Sequence, residues 1–170
     1  MKKIYLLTPG PTPLPPKVSE AMARPIIHHR TPQFQAILKE ATEGLKYVYQ
    51  TENNVFILAS SGTGAMEAAV INLLSPQDSA LTVQGGKFGE RWTEICKAYN
   101  INTEIIDVEW GKAVDPAQIQ KRLKANPKIK AVFTTLCETS TGVVNDIPAI
   151  GKVIKDTEAV LVVDAISGLG

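Results

Sequence analysis

The run Ala159-Val160-Leu161-Val162-Val163, closed by Asp164, is apolar at every position but the last. A strand with one wet face alternates polar and apolar residues. A strand without that alternation has to be covered on both faces, and helices are the usual cover. Similar short runs recur upstream at 55–59, 80–83 and 131–136, and 103–108 reads as a strand of alternating character. The segments between them, about 65–74, 88–99, 115–125 and 148–155, read as helices, and Asp115-Pro116 supplies a cap and a first-turn proline for the third. Strands alternating with helices imply right-handed crossovers. The predicted fold class is therefore α/β, a mainly parallel sheet flanked by helices.

The first 53 residues read differently. Residues 8–16, Thr-Pro-Gly-Pro-Thr-Pro-Leu-Pro-Pro, cannot form a helix interior, because proline removes donors and clashes with the preceding turn. They predict an extended segment, followed by a short helix at 18–23. Thr31-Pro32 starts a longer helix, predicted to reach about residue 49, with Phe34, Ile37, Leu38, Ala41, Leu45 and Val48 at helical spacing. The expected organisation is an N-terminal segment and helix over 1–53, then the front portion of a larger domain over 54–170. The strand at 159–164 is followed only by six residues, so the chain is expected to be the front of a longer protein rather than a short protein with a mobile tail.

At 170 residues, 44% hydrophobic, 21% charged and with a net charge of +1, the chain is neither a disordered tail nor a basic nucleic-acid binder. No apolar run approaches the roughly 20 residues of a membrane helix. The four apolar-leaning residues before Thr8 are too few for a secretory core. Two cysteines, Cys96 and Cys137, do not make a disulfide framework. These features predict a cytoplasmic protein with reduced thiols. His28 and His29 form no ligand spacing with the cysteines, so no metal site is expected.

In open α/β sheets, ligands sit outside the carboxyl ends of the strands. That rule directs attention to 60–65, 84–89, 137–142 and 164–168. Ser60-Ser61-Gly62-Thr63-Gly64 joins a predicted strand to a helix, where backbone amides and a helix N-terminus suit a phosphate. It is neither a dinucleotide fingerprint, since Glu67 stands at the third glycine position, nor a Walker loop. A tight turn with a hydroxyl cap is the equal alternative. Phe88, in Gly85-Gly86-Lys87-Phe88-Gly89, is either a core anchor or a flat face for stacking a planar ligand. Glu138-Thr139-Ser140-Thr141-Gly142 offers hydroxyls to a ligand or forms an ordinary turn. Asp164 either caps a turn by accepting from the amides of residue 166 or 167, or serves as counter-ion to a protonated ring nitrogen.

Six stretches taken together carry a resemblance. They are Thr8–Thr12 (Thr-Pro-Gly-Pro-Thr), residues 28–32 (His-His-Arg-Thr-Pro), 61–67 (Ser-Gly-Thr-Gly-Ala-Met-Glu), 86–91 (Gly-Lys-Phe-Gly-Glu-Arg), 138–143 (Glu-Thr-Ser-Thr-Gly-Val) and 163–170 (Val-Asp-Ala-Ile-Ser-Gly-Leu-Gly). In this order they resemble the front of class V (fold-type I) pyridoxal-phosphate (PLP) aminotransferases of the alanine–glyoxylate or serine–pyruvate kind. The resemblance implies that Ser61, Gly62 and Thr63 hold the cofactor phosphate and that Phe88 stacks on the pyridine ring. It implies that Thr139 lies near the phenolic oxygen, that Asp164 pairs with the pyridinium nitrogen, and that Gly10 meets the substrate carboxylate. It also implies a homodimer, and transfer of an amino group between a small amino acid and a 2-oxo acid such as glyoxylate or pyruvate. In such enzymes the Schiff-base lysine follows the Asp164 equivalent in a Gly-Ser-Gln-Lys-like stretch. This chain stops before it, and neither Lys87 nor Lys152 has that context. The 170 residues alone are therefore expected to be inactive. The alternatives are a PLP-dependent lyase such as a cysteine desulfurase, whose relatives usually place histidine where Phe88 stands, or a non-catalytic fragment.

Overall fold

The computed structural model describes residues 5–169; Met1 to Ile4 and Gly170, the last residue of the sixth stretch, lie outside the described residues. The chain divides into two compact units between Ile57 and Leu58.

The first unit contains α1 (Pro16–Met22) and α2 (Pro32–Tyr49). The extended segment expected over 8–16 is interrupted: residues 8–11 bend, with the Thr8 hydroxyl donating to the Pro11 carbonyl at 2.9 Å, and Pro16 already opens α1, where its fixed φ suits the first turn. Thr31 caps α2, its Oγ1 accepting from the Phe34 amide at 3.3 Å, and Pro32 occupies the first turn. Gln50 ends the helix in the left-handed region at φ 51°. No residue of α2 is buried, so the stripe from Phe34 to Val48 is not covered by the described residues.

The second unit is the α/β part. Its elements are α3 (Gly62–Leu73), β1 (Ser79–Gln84), α4 (Lys87–Ala98), β2 (Asn102–Asp107), α5 (Pro116–Ala125), β3 (Ile129–Thr135), β4 (Cys137–Glu138), β5 (Val143–Val144), α6 (Ile147–Ile154) and β6 (Val160–Asp164). The main sheet has the order β2-β1-β3-β6, and every pairing is parallel. Strand side chains alternate between two cores. Ala80, Ala131 and Phe133 face Trp92, Ile95 and Cys96 of α4 and Met66 and Val70 of α3. Leu81, Val83 and Val132 face Ile119 and Leu123 of α5 and Ile150 and Ile154 of α6. Trp92 and Phe133 pack with ring centroids 4.8 Å apart, and the indole N–H donates to the Thr134 carbonyl at 3.2 Å. Buried Asn145 ties the loops together: its Oδ1 accepts from the Val114 amide at 3.0 Å and its Nδ2 donates to the Thr135 carbonyl at 2.9 Å.

Two expectations need correction. Residues 55–59 form no strand; Phe56 is 80% exposed and the segment joins neither sheet. A strand exists only through ladder partners, and no described strand supplies them. The second correction is an addition. Residues 137–144 are not a plain loop but a two-stranded ribbon, with Glu138 opposite Val143 and Gly142 turning the chain at φ 75°.

The strand order positions the site. From β1 the chain moves to β2 by way of α4 on one face, then returns past β1 to β3 and on to β6 by α5 and α6 on the other. The order therefore reverses between β1 and β3, and the loops leaving those two strands splay to opposite faces. That is the switch point at which open α/β sheets bind ligands.

Candidate functional site

Four segments meet at the carboxyl edge of the sheet. The first is the start of α3. Ser61 is its N-cap residue but makes no side-chain cap bond, so the first-turn amides lack the acceptor that Thr31, Asp115 and Asp146 provide to α2, α5 and α6. The sequence alternative of a hydroxyl cap at Ser61 is thus not realised. The Thr63 hydroxyl oxygen accepts from Arg91 Nη1 at 3.0 Å, which leaves its proton available to donate. A Cβ on Gly62 would run into Ile166 Cδ1, which places the start of α3 directly against the segment after β6.

The second segment follows β1. Phe88 is half-buried at the first turn of α4, and the Arg91 guanidinium carbon lies 5.3 Å from its ring centroid. Phe88 does not belong to either buried core cluster, so the core-anchor alternative is not what the fold uses. The third segment is the β4–β5 ribbon after β3. Glu138, only 2% exposed, accepts from the amides of Phe88 (3.3 Å) and Gly89 (2.9 Å) and from the amide (3.2 Å) and hydroxyl (2.7 Å) of Ser140. The Ser140 hydroxyl oxygen in turn accepts from the Lys87 amide at 3.1 Å. The N-terminus of α4 is therefore satisfied by a carboxylate, while that of α3 is left open to an anion. Thr139 points its hydroxyl to that of Ser167.

The fourth segment is the end of β6. Asp164 is half-buried and pairs in register with Thr135. Its Oδ1 accepts from the Ile166 amide at 3.0 Å. This is the turn cap weighed from sequence, yet it occupies one oxygen only, and Oδ2 accepts no bond among the described residues. The cap and a counter-ion role are compatible.

Ser61, Gly62, Thr63, Phe88, Thr139 and Asp164 thus stand on segments joined by direct contacts. Gly10 lies exposed in the other unit. Glu138, Ser140 and Arg91 escaped attention as individual residues, although each falls within a stretch that carried the resemblance. Their signal was positional: a carboxylate or cation beside small and hydroxyl residues at a strand end. Among the described residues no cluster of His, Cys, Asp and Glu suits a metal ion, and no helix is long and apolar enough to cross a membrane.

The fold is that of a doubly wound α/β protein, with an uncapped helix N-terminus, a half-buried aromatic ring and a carboxylate gathered at the edge where such sheets bind ligands. The sequence profile of the class-V aminotransferases matches residues 4–170, and the chain belongs to that family. It is 47% identical to the soluble hydrogenase 42 kDa subunit of Anabaena cylindrica, over 99% of this chain and 45% of that protein. It is 35% identical to the L-aspartate–glyoxylate aminotransferase of Paracoccus denitrificans, over 97% of this chain and 43% of that one. The crystal structure of an aspartate aminotransferase from Thermus thermophilus superposes with a TM-score of 0.91 at 36% identity, covering 98% of this chain and 47% of that chain. The chain spans less than half the length of the relatives it matches.

Proposed function

We propose that the whole protein is a PLP-dependent aminotransferase. It moves an amino group between a small amino acid, of the alanine, serine or aspartate type, and a 2-oxo acid such as glyoxylate or pyruvate. Residues 54–170 are the front of its cofactor-binding domain and residues 1–53 its N-terminal segment and helix. The Schiff-base lysine and the substrate-carboxylate arginine belong to the remaining length of such proteins, so the 170 residues alone do not turn over. A homodimer in the cytoplasm is part of this reading, and the free thiols of Cys96 and Cys137 are consistent with a reducing compartment.

The observation that carries the reading is the open N-terminus of α3 set beside an aromatic face and a half-used carboxylate. The donor set fits PLP. The amides of the first turn of α3 and the hydroxyls of Ser61 and Thr63 would hold the phosphate. Phe88 would take the face of the ring, Thr139 would bond its phenolic oxygen, and Asp164 Oδ2 would face the ring nitrogen. Bound PLP supplies an electron sink for bonds broken at the amino-acid α-carbon. Asp164 deepens that sink by holding a proton on the ring nitrogen, since an adjacent carboxylate favours the cationic form. Phe88 fixes the ring plane, and its lack of a polar atom leaves stacking as its whole contribution. Gly10 would leave its backbone accessible to a substrate carboxylate.

The test is the visible absorbance of the full-length protein with PLP. The band of bound cofactor is expected to fade on adding an amino-acid donor and return on adding a 2-oxo acid. Conversion of cysteine to alanine, with sulfide set free only when a thiol reductant is added, would instead assign the desulfurase-type reading. Absence of any bound cofactor would assign the non-catalytic one.

A further inference from the structure

We propose, resting on the cofactor reading above, that Glu138 is a positioning residue: its buried carboxylate fixes where the Phe88 ring lies and thereby how tightly PLP is held. An ionised carboxylate at 2% exposure is costly unless its lone pairs are filled. Glu138 fills them with the Phe88 and Gly89 amides and with both donors of Ser140. Together with the Ser140–Lys87 bond, the pair receives three successive amides of the first turn of α4, which carries the ring. The fit is close: a Cβ added to Gly86 would lie 2.5 Å from Glu138 Cγ and against Ser140 Oγ.

A cap serving helix stability alone comes from the residue at the helix start, as Asp115 and Asp146 do here. The cap of α4 comes instead from the ribbon after β3, about fifty residues along the chain. It therefore locks the loop after β1 to the loop after β3, across the point where the strand order reverses. Thr139 sits between the two anchoring residues, so the same bonds set the Thr139 backbone relative to Phe88. A stacking ring and a hydroxyl meant for two parts of one flat cofactor have to be registered to each other.

The experiment titrates PLP into the full-length apoprotein and reads Kd from tryptophan fluorescence. Glu138→Gln keeps the shape but puts an NH2 against a backbone amide; binding is expected to weaken on the order of tenfold, as for one charge-assisted hydrogen bond. Ser140→Ala, which removes the Lys87 acceptor, is expected to weaken it about threefold. Asp146→Ala removes the cap of α6, a side chain whose bond among the described residues is to the Ala149 amide rather than to α4 or the ribbon, and should lower thermal stability while leaving Kd unchanged. The visible circular dichroism of bound PLP, a report on ring setting, should change in Glu138→Gln and not in Asp146→Ala. In a Phe88→Ala background Glu138→Gln should cost no further affinity, because it acts through the ring. Wild-type Kd in Glu138→Gln, or an undiminished effect without the Phe88 ring, overturns the proposal. If Glu138→Gln does not fold, the Ser140→Ala cycle with Phe88→Ala decides the same question by the same criteria. Wild-type protein that binds no PLP overturns the cofactor reading and this one with it; wild-type binding with unaffected variants overturns this one alone.

Discussion

Replacing Asp164 by Asn separates the two jobs its carboxylate can hold. Oδ1 accepts from the Ile166 amide at 3.0 Å, and an asparagine carbonyl oxygen can keep that bond. The turn into 165–169, closed by the Gly168 and Leu169 amides on the Ala165 carbonyl, should therefore survive. What disappears is the negative charge on Oδ2, which makes no bond among the described residues. If that charge holds a proton on the ring nitrogen, its loss is felt mainly where electron demand peaks, so it appears in kcat. We expect a fall of two to four powers of ten, about 3–5 kcal/mol on the barrier. Melting temperature and PLP affinity should change little, because the start of α3 and Phe88 are untouched. Asp164→Ala should lose activity similarly and also about 1 kcal/mol of stability with the turn cap. Asp164→Glu should retain more activity than Asn. The assay is single-turnover amino transfer in the full-length protein, beside thermal melts of the same samples. A near-wild-type rate for Asn would reduce Asp164 to a turn cap and refute the reasoning.

Gly62→Val should weaken PLP binding by blocking amide approach; unchanged affinity would remove 61–63 from the phosphate site. Asn145→Ala should destabilise the fold by about 2–3 kcal/mol in denaturant titration, since it leaves the Val114 amide and Thr135 carbonyl short of partners; a loss under half a kcal/mol would contradict this. Burial pushes the Cys96 thiol up to about 11 from 9.0. Below pH 9 folded and unfolded forms are both protonated; between about 9 and 11 only the unfolded thiol ionises, so stability should fall across that window by up to roughly 3 kcal/mol per Cys96, and Cys96→Ala should flatten the fall. Sedimentation of the full-length protein should show a homodimer, and a stable, active monomer would count against that.

The α/β class was legible because several short apolar runs alternate with helical segments, and at Ala131-Val132-Phe133 the run is buried on both faces; the runs at 55–59 and 160–164 look alike in sequence but carry no such burial here. Caps were legible where the capping residue adjoins its helix and a proline follows it directly, as at Thr31 and Asp115; Asp146, two residues before its proline, caps α6 without that mark. The α4 cap was not, because Glu138 and its helix come together only through sheet topology. The failure at 55–59 has the same origin: composition reports willingness to form a strand, while pairing depends on a neighbour that lies elsewhere. The site loops could be placed by rule at strand ends, but which oxygen of Asp164 is engaged, and that Arg91 bridges Thr63 and Phe88, belong to geometry alone.

Strand order also bears on how the chain is born. β1 is the first strand of the main sheet to leave the ribosome, yet it lies between β2 and β3. Its inner partner β3 is complete only about fifty residues after β1 ends. At a synthesis rate of about 5–20 residues per second, Ala80-Leu81-Thr82-Val83 waits roughly 3–10 s with an open ladder edge. Such an apolar segment is a template for pairing with another nascent chain. Early docking of α4 through Trp92 and Ile95 covers one face of it but no edge, so crowding on a polysome is a stage at which this stretch is exposed to such pairing.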